Sequence, residues 1–358
     1  MTVSHAVRER TFNEALLEAT DQALAGDERV YLMGLGVPDP KAIFGTTGGL
    51  QAKYGAQRVM DMPTAELGMT GVAIGSALAG MKPIMVHQRV DFTLLAMDQI
   101  VNNAAKWRYM FGGKAGVSLV IRMIVGRGWG QGPQHSQSLQ ATYAHIPGLA
   151  VVMPATPHDA KGLLLAAVDY GDPVIFIEHR WLQNTFGPVP EDPYTVPIGT
   201  ANVVRRGSAA TIVASSHMVV ESLRAAEGLA KHGIDAEVVD LRSIRPLDRA
   251  TIVGSARKTG RLVAVDNGWR SFGVAAEIVT TVTESAFADL RRAPVRITFP
   301  DGYVPTTPAL AKHYYPGATT IANAVRAQLD LAPLDAAAYG WATDRPPDVP
   351  DASFRGPF

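Results

Sequence analysis

The sequence predicts an α/β protein of two domains, each built on a parallel β-sheet with helices on both faces. The chain has 358 residues, more than one hydrophobic core usually organises. Short apolar runs alternate along it with segments of helical periodicity, as expected for strands buried on both faces of a parallel sheet. A stretch with four prolines, Phe186–Thr200, separates two such series.

Residues 1–185 are predicted to form the first and larger domain. The first helix should begin after Thr11, because Thr11 and Glu14 have the spacing of a capping box. Another should begin after Thr156, with Asp159 closing a box in the same way. The predicted strands are the apolar runs Arg29–Met33, Pro83–Val86, Val117–Ile121, Ala150–Met153 and Val174–Ile177.

Residues 186–200 are predicted to be a linker, and residues 201–332 a smaller α/β domain. The tail 333–358 is rich in Ala, Asp and Pro, so we expect it to wrap a neighbouring subunit or to stay extended. The second domain should contain strands at 211–214, 236–239, 262–265 and 295–299, and helices at 222–232, 252–258 and 274–285.

Composition excludes several classes of function. The 33 Lys and Arg residues balance 33 Asp and Glu residues without a basic block, which argues against a nucleic-acid partner. The absence of Cys excludes disulfides, thiolate metal sites and a cysteine nucleophile. No signal peptide is evident, and the longest stretch of small apolar residues, Met69–Met81, is too short to span a bilayer. We therefore expect a cytoplasmic protein with no membrane partner.

Glu66 and His135 are the candidates for proton transfer. Glu66 opens a predicted helix of small residues that could pack closely and bury it, and burial favours a neutral, proton-sharing carboxyl. The alternative is a first-turn carboxylate that only interacts with the helix dipole. His135 follows the glycine-rich run Gly126–Gly132, at the carboxyl end of a predicted strand where ligands bind in parallel sheets. The alternative there is a structural histidine beside a mobile surface loop.

Five segments, in this order and spacing, closely resemble the beta subunits of the thiamine-diphosphate-dependent 2-oxo-acid dehydrogenases. These subunits belong to the decarboxylating component of the pyruvate, branched-chain and acetoin dehydrogenase complexes. The resemblance runs from about Thr11 to Leu331 and implies a transketolase-like pyrimidine-binding domain followed by a transketolase carboxy-terminal domain. The segments are MPTAELGMTGVAIGSALAG (62–80), VDFTLLAMDQIVNNAAKWRYMFGG (90–113), QHSQS (134–138), PGLAVVMPATPHDAKGLLLAAVDYGDPVIFIEH (147–179) and IDAEVVDLRSIRPLD (234–248).

The resemblance implies roles for five residues of the first domain. Glu66 corresponds to the glutamate that bonds a pyrimidine nitrogen of thiamine diphosphate and favours its reactive tautomer. Phe92 corresponds to the aromatic residue stacked on that ring, Thr64 to a backbone contact, and Gln88 to a neighbouring glutamine. His135 corresponds to the active-site histidine near the substrate.

The resemblance also implies metal ions and a partner chain. Mg²⁺ at the diphosphate would be held by a separate alpha subunit, because this sequence lacks the GDG motif. We therefore expect an alpha2beta2 heterotetramer, and an isolated chain that neither binds the cofactor tightly nor turns over. A structural K⁺ held by backbone carbonyls would correspond to Leu119, Ala167, Val168, Tyr170 and Asp172, of which the last two differ from the family's usual residues.

The sequence departs from the family pattern around the predicted site. Arg89 stands where an aromatic residue is usual, and Arg127, Trp129 and Arg180 lie in atypical loops. These arginines would suit a carboxylate or phosphate on the substrate or acceptor; otherwise they face solvent or the partner subunit.

Three functions remain open at this point. The first is decarboxylation of a 2-oxo acid with acyl transfer to a lipoyl acyltransferase component. The second is a split transketolase-like, carboligating enzyme with an aldehyde or sugar acceptor. The third is a non-catalytic assembly subunit, against which the presence of Glu66 and His135 argues. A dinucleotide-binding oxidoreductase is disfavoured, because the sequence lacks the glycine fingerprint.

Overall fold

A computed structural model describes residues 7–39, 43–128 and 130–341 of the chain. The strands are β1 Val7–Thr11, β2 Val30–Gly34, β3 Val59–Met60, β4 Lys82–His87, β5 Val120–Val125, β6 Ala150–Val152, β7 Val174–His179, β8 Phe186–Pro190, β9 Asn202–Arg205, β10 Ala210–Ala214, β11 Ala236–Asp240, β12 Ser243–Arg245, β13 Leu262–Trp269 and β14 Val295–Phe299. The helices are α1 Phe12–Gly26, α2 Leu50–Tyr54, α3 Glu66–Leu78, α4 Val90–Thr93, α5 Trp107–Met110, α6 Gln140–Ala144, α7 Pro157–Val168, α8 His217–Ala230, α9 Arg249–Thr259, α10 Val274–Ala286, α11 Pro308–Tyr314 and α12 Ala318–Gln328. Within these ranges no helix is both long and apolar enough to cross a bilayer.

The first sheet has seven strands in the order β12-β6-β7-β5-β4-β2-β3. Strands β2 to β7 run parallel, as predicted. Successive residues of each strand enter two separate apolar layers: Leu32 and Ile84 face α1 and α7, whereas Met33 and Met85 face α3. Both layers are buried, which explains why the strands are apolar along their whole length.

The edges of the sheets differ from the prediction of purely parallel pairing. Strand β12 adds to the first sheet antiparallel to β6. The second sheet has the order β14-β13-β10-β11-β9, and its edge strand β9 is also antiparallel. The stretch predicted to be a linker contains β8, which pairs antiparallel with β1. Each of these pairings joins segments distant in sequence or short edge strands, so local periodicity gives no signal of them.

The two predicted capping boxes have different outcomes. The box of α1 is complete, because the Glu14 amide donates to Thr11 Oγ1 and the Thr11 amide donates to Glu14 Oε2. Thr156 caps α7 by accepting from the Asp159 amide at 3.1 Å. The Asp159 carboxylate does not close that box, because Arg242 binds it with Nε and Nη2, both at 2.9 Å. Asp159 therefore ties α7 to the second half of the chain instead of capping the helix.

Strand β5 begins three residues and ends four residues beyond the corresponding ends of the predicted run Val117–Ile121, and it includes Arg122. The Arg122 guanidinium is completely buried and donates to both carboxylate oxygens of Glu178, at 2.6 and 3.0 Å. It also donates to Thr46 Oγ1 at 2.9 Å. The sheet tolerates the Arg122 charge because the Glu178 carboxylate on the adjacent strand β7 pairs with it. The composition of β5 alone does not reveal this partner.

Asp266 in β13 joins the two halves through a buried network. It accepts from Gln140 Nε2 at 2.8 Å and from the Val274 amide at 3.0 Å, and burial raises its pKa to about 6. An unfolded aspartate titrates near pH 4. The folded state therefore holds the proton to higher pH, and the stability of the chain falls as the pH rises from about 4 to about 6. Ionisation of Asp266 costs roughly 3 kcal/mol at neutral pH.

Replacing Asp266 with Asn should raise the free energy of unfolding at pH 8 by about 1–3 kcal/mol, and change it little at pH 4. The asparagine oxygen can accept from the Val274 amide, and its amide group can donate to Gln140 Oε1, which has no partner in the described chain. Urea unfolding at both pH values measures the change. Burial also raises the pKa of Asp240, to about 7. Because wild type and variant both contain Asp240, its effect on the pH dependence of stability cancels when the two are compared. An equal change at both pH values would contradict the assignment.

Candidate active site

The carboxyl ends of two neighbouring strands bring predicted site residues together. Strand β4 ends at His87 and is followed by Gln88, Arg89 and α4, which carries Phe92. The adjacent β5 leads into the glycine-rich loop and His135. The rings of Phe92 and His135 lie edge to face with their centroids 5.5 Å apart, and the His135 side chain is exposed. Two residues 43 positions apart in the numbering of the chain are thus in contact at this end of the sheet.

Glu66 is the first residue of α3 and is only 7% exposed. No hydrogen bond or ion pair to its carboxylate is formed by any residue in the described ranges. Its carboxylate oxygens are not among the sealed polar atoms, so they keep some contact with solvent although the rest of the residue is buried. Glu66 is therefore placed to bind a group that the chain itself does not provide.

The small residues of α3 do not pack as predicted. A Cβ atom at Gly68 or Gly75 would meet nothing within 4 Å, and one at Gly71 would only touch the Gln99 side chain, at 3.4 Å. Leu67 and Val72 on the same helix are 47% and 56% exposed. The expectation of close helix packing is thus wrong for these glycines, whereas Ala73 and Ala77 of the same helix are buried in the core. The exposed apolar face of α3 is available to another chain.

Gln88 and Thr64 are placed differently from one another. Gln88 is half-buried and its Nε2 donates to the Leu35 carbonyl at 3.0 Å, which leaves its side-chain oxygen as the group it can offer a ligand. Thr64 lies exposed two residues before Glu66, in the turn between β3 and α3. Neither position contradicts the role that the resemblance implies, and both roles stay predictions.

The first part of the glycine-rich run does not lie at the surface, because Gly126, Arg127 and Gly128 are buried, whereas Gly130 is exposed as composition alone suggested. A Cβ atom at Gly126 would lie 2.9 Å from the His179 ring, and one at Gly128 would overlap the Arg180 guanidinium. Glycine is required here because neighbouring side chains approach the backbone so closely. Trp129 lies outside the described residues.

The three arginines near this loop are largely buried. Arg127 and Arg180 are almost fully buried, and Arg89 is 5% exposed. The Arg89 guanidinium donates Nη1 to the His135 carbonyl at 3.0 Å and approaches the Gly126 carbonyl at 3.5 Å. Burial lowers the pKa of Arg89 to about 10, so this residue remains charged at neutral pH. The alternative of arginines that extend into solvent is therefore wrong, and the alternative of a contact with the partner subunit stays open.

Asp91 is the carboxylate nearest to Arg89 in sequence, but its hydrogen bonds go elsewhere. It accepts from the Gln137 side chain at 2.8 Å and from the Gln137 amide at 3.4 Å. Burial raises the pKa of Asp91. This contact holds the QHSQS segment against α4. In the sequence, only the amide side chains of that segment indicated that it could form such hydrogen bonds.

A pair of buried histidines, which the sequence did not reveal, supports the loop from beneath. The rings of His179 and His217 stack with their centroids 5.0 Å apart, and Trp181 packs edge-on against both. Burial lowers the pKa of both histidines, so both rings are neutral at neutral pH. Because His179 comes from the first half and His217 from the second, this cluster couples the halves directly below Gly126.

The residues predicted to hold K⁺ lie at the far, amino-terminal ends of the strands. The Leu119 carbonyl accepts from the Val174 amide at 2.9 Å, and the Ala167 carbonyl accepts from the Tyr170 amide at 3.3 Å. Arg108 binds the Asp172 carboxylate at 2.6 and 2.7 Å and the Gly171 carbonyl at 3.1 Å. Any ion at Val168, Tyr170 and Asp172 would share this loop with a guanidinium, and the K⁺ site stays a prediction.

Comparison with known proteins identifies the family of the chain. Residues 8–184 match the model of the transketolase pyrimidine-binding domain, and residues 199–321 match that of the transketolase C-terminal domain. The chain is 44% identical over 329 residues to the beta subunit of acetoin:2,6-dichlorophenolindophenol oxidoreductase from Cupriavidus necator, covering 89% of this chain and 97% of that one. It is 42% identical to the mitochondrial pyruvate dehydrogenase E1 component subunit beta-1 of Oryza sativa subsp. japonica, covering 91% and 88% of the two chains. The chain belongs to the family of E1 beta subunits.

Membership of the E1 beta family makes the chain a subunit of an enzyme. A further relative, from Bacillus subtilis, is also named as an acetoin:2,6-dichlorophenolindophenol oxidoreductase beta subunit, with 41% identity over 86% of this chain and 93% of that one. Among solved structures, a split-gene transketolase described as an inactive beta4 tetramer has a TM-score of 0.75 and 24% identity over 89% of this chain and 98% of that one. That structure shares the fold.

Proposed function

We propose that the chain is the beta half of a thiamine-diphosphate-dependent enzyme that decarboxylates a 2-oxo acid and passes the acyl group to a lipoyl carrier. The observation that carries this proposal is the buried Glu66 carboxylate, which lacks a partner among the described residues. It lies on the domain whose family model is named for pyrimidine binding. The Phe92 and His135 pair supports the same interpretation.

The residues present suit an aminopyrimidine ring. The Glu66 carboxyl can share a proton with a ring nitrogen, and the half-buried Phe92 offers an apolar ring face for stacking. Gln88 keeps its side-chain oxygen for an exocyclic amino group, and the backbone at Thr64 lies just ahead of Glu66. When bound, thiamine diphosphate supplies the nucleophilic carbon and the electron sink for decarboxylation.

Three residues of the chain are proposed to carry the protein's part of the reaction. The Glu66 carboxyl lies on a largely buried residue at the start of α3 and can share a proton with a nitrogen that faces it. His135 is exposed at the edge of Phe92 and can donate or accept a proton where a substrate enters. The Arg89 guanidinium donates to the carbonyls of His135 and Gly126 and so fixes the backbone of His135 relative to the glycine-rich loop.

The other half of the site is proposed to come from an alpha subunit in an alpha2beta2 heterotetramer. The chain has no GDG motif for the Mg²⁺ that would hold the diphosphate. It does expose large apolar side chains next to the site elements, at Leu67 and Val72 on α3 and at Leu94 and Leu95 after α4. Exposed apolar patches of this kind mark protein–protein contacts.

Reconstitution tests the proposal. The chain is co-expressed with a candidate alpha subunit carrying the GDG motif, and CO₂ release from a panel of 2-oxo acids is measured with and without a lipoyl domain. We expect release that requires both subunits and yields an acylated lipoyl domain, and no tight binding of thiamine diphosphate by the chain alone. Carboligation to an aldehyde without lipoyl transfer would favour the transketolase-like alternative. Tight cofactor binding by the isolated chain would overturn the division of the site.

A further inference from the structure

Arg89 is a buried cation without a carboxylate partner. Its side chain is 5% exposed, and it forms no ion pair with any carboxylate in the described ranges. Asp91 attracts it only at longer range, because the hydrogen bonds of Asp91 go to Gln137. Burying a guanidinium without a counterion is costly, so such a site is retained where a bound anion completes it.

The Arg89 guanidinium also has an open edge. Nη1 is engaged by the carbonyls of His135 and Gly126. Nε and Nη2 make no hydrogen bond within the described chain, and neither atom is sealed from solvent. These two nitrogens form the side of a guanidinium that binds a carboxylate or phosphate through two parallel hydrogen bonds.

A second positive charge lies close by. Arg180 is buried on the other side of the glycine-rich loop, donates to Gln131 Oε1 at 3.3 Å and stacks over the Phe44 ring at 4.9 Å. The absence of a side chain at Gly128 leaves space for the Arg180 guanidinium. Burial lowers the pKa of Arg180 to about 10, and repulsion from the nearby Arg89 charge adds to this effect. Two like charges held together in a buried place are stabilised by an anion between or beside them.

We propose that Arg89, with Arg180 as the second charge, forms a subsite that binds an anionic group, carboxylate or phosphate, on the substrate beyond its reacting 2-oxo acid unit. Arg89 is then a specificity-determining residue. The inference rests on the proposed function, because it places the anion beside His135 and Phe92. The anionic group belongs either to the donor, as in a dicarboxylic 2-oxo acid, or to the acceptor, as in a phosphorylated aldehyde.

The leaving carboxylate of the 2-oxo acid is a poor match for this subsite. Decarboxylation removes the charge of that group, so a buried cation bound to it would stabilise the ground state more than the transition state. A charge that survives the reaction has no such cost. The subsite therefore favours an anion remote from the bond that breaks.

Arg89 also stabilises the glycine-rich loop through its hydrogen bonds to the His135 and Gly126 carbonyls. A test must therefore separate this structural role from anion binding. In Arg89→Lys the ammonium can still reach the His135 carbonyl, but the Nε and Nη2 edge is lost. A purely structural role predicts equal losses for anionic and neutral substrates. A subsite predicts a selective rise in KM for anionic substrates, with kcat/KM falling about 10- to 100-fold for them and little for neutral ones. Arg180→Lys should shift the same ratio in the same direction.

The experiment uses the reconstituted alpha–beta enzyme. The donor arm compares 2-oxoglutarate with 2-oxopentanoate, which has the same carbon number without the second carboxylate. The acceptor arm uses pyruvate as donor and compares glyceraldehyde 3-phosphate with glyceraldehyde. Glutarate and pentanoate, which cannot react, give a binding readout by calorimetry. Arg29→Lys is the matched control, because Arg29 is exposed at the opposite, amino-terminal end of β2.

The subsite is supported if wild type prefers the anionic member in one arm and Arg89→Lys abolishes that preference, together with any preference for glutarate. An active enzyme without preference in either arm would overturn the subsite while leaving the proposed function standing. An equal fall for all substrates in Arg89→Lys would assign the residue to loop bracing alone. Lack of turnover with every donor, and of cofactor binding by the complex, would instead refute the proposed function.

Discussion

Replacing Glu66 with Gln should lower the turnover of the reconstituted enzyme by about 10²- to 10⁴-fold, the range for loss of a positioned proton-sharing group. Glutamine has nearly the same size and can fill the same buried position at the start of α3, so the fold should persist. It cannot exchange a proton with a bound nitrogen. Single-turnover CO₂ release and the affinity for thiamine diphosphate, measured on the same complex, separate the chemical step from binding.

A matched control for this variant is Glu14→Gln. Glu14 is also a first-turn glutamate, in α1, and glutamine can still close its capping box with Thr11. It therefore reports the loss of a helix-dipole interaction without loss of a catalytic proton. Full activity of Glu66→Gln would revive the alternative of a non-catalytic assembly subunit, because Glu66 would then be only a first-turn carboxylate.

Replacing Arg122 with Met should destabilise the chain by about 3–5 kcal/mol, because it leaves the Glu178 carboxylate buried and unpaired. Both side chains are at most 1% exposed and are joined by two hydrogen bonds. The change should appear as a large fall in the urea midpoint, or as loss of soluble protein if the remaining stability is small.

The double variant with Arg122→Met and Glu178→Met keeps this prediction testable. Apolar side chains of similar volume at both positions remove the unpaired charge, so the double variant should recover most of the stability lost by the single one. If the double variant is no more stable than Arg122→Met alone, packing or the Thr46 contact, and not the unpaired carboxylate, is the source of the loss.

The interior of the fold could be predicted from sequence because local signals determine it. Continuous apolar runs located β2, β4, β6 and β7, and the Thr11 and Glu14 spacing located the start of α1. Arg122 misled the assignment of β5, since a charge normally ends a buried strand. Edge strands β9 and β12 were missed because their partners lie far along the chain.

The candidate site was predictable only where a single residue carries a chemical signal. Glu66, Phe92 and His135 lie on elements at the carboxyl end of the first sheet, where the rings of Phe92 and His135 are in contact, and their roles stay predictions. The stacking of His179 on His217 depends on contact between the two halves, for which a sequence has no local pattern. The sequence also could not show that Arg89 lacks a counterion. The nearby Asp91 could have paired with it, and only the structure shows that Asp91 binds Gln137 instead.

The antiparallel pairing of β12 with β6 means that the two halves of this chain are not separable modules. A fragment ending in the proline-rich stretch would leave the backbone groups of β6 bare, where the Met153 amide now donates to the Arg242 carbonyl at 2.8 Å. An open edge of that kind is a template for self-association. The proline-rich stretch that the composition suggests as a boundary is therefore a poor place to divide the chain, because the first sheet would lose residues 243–245 at its edge.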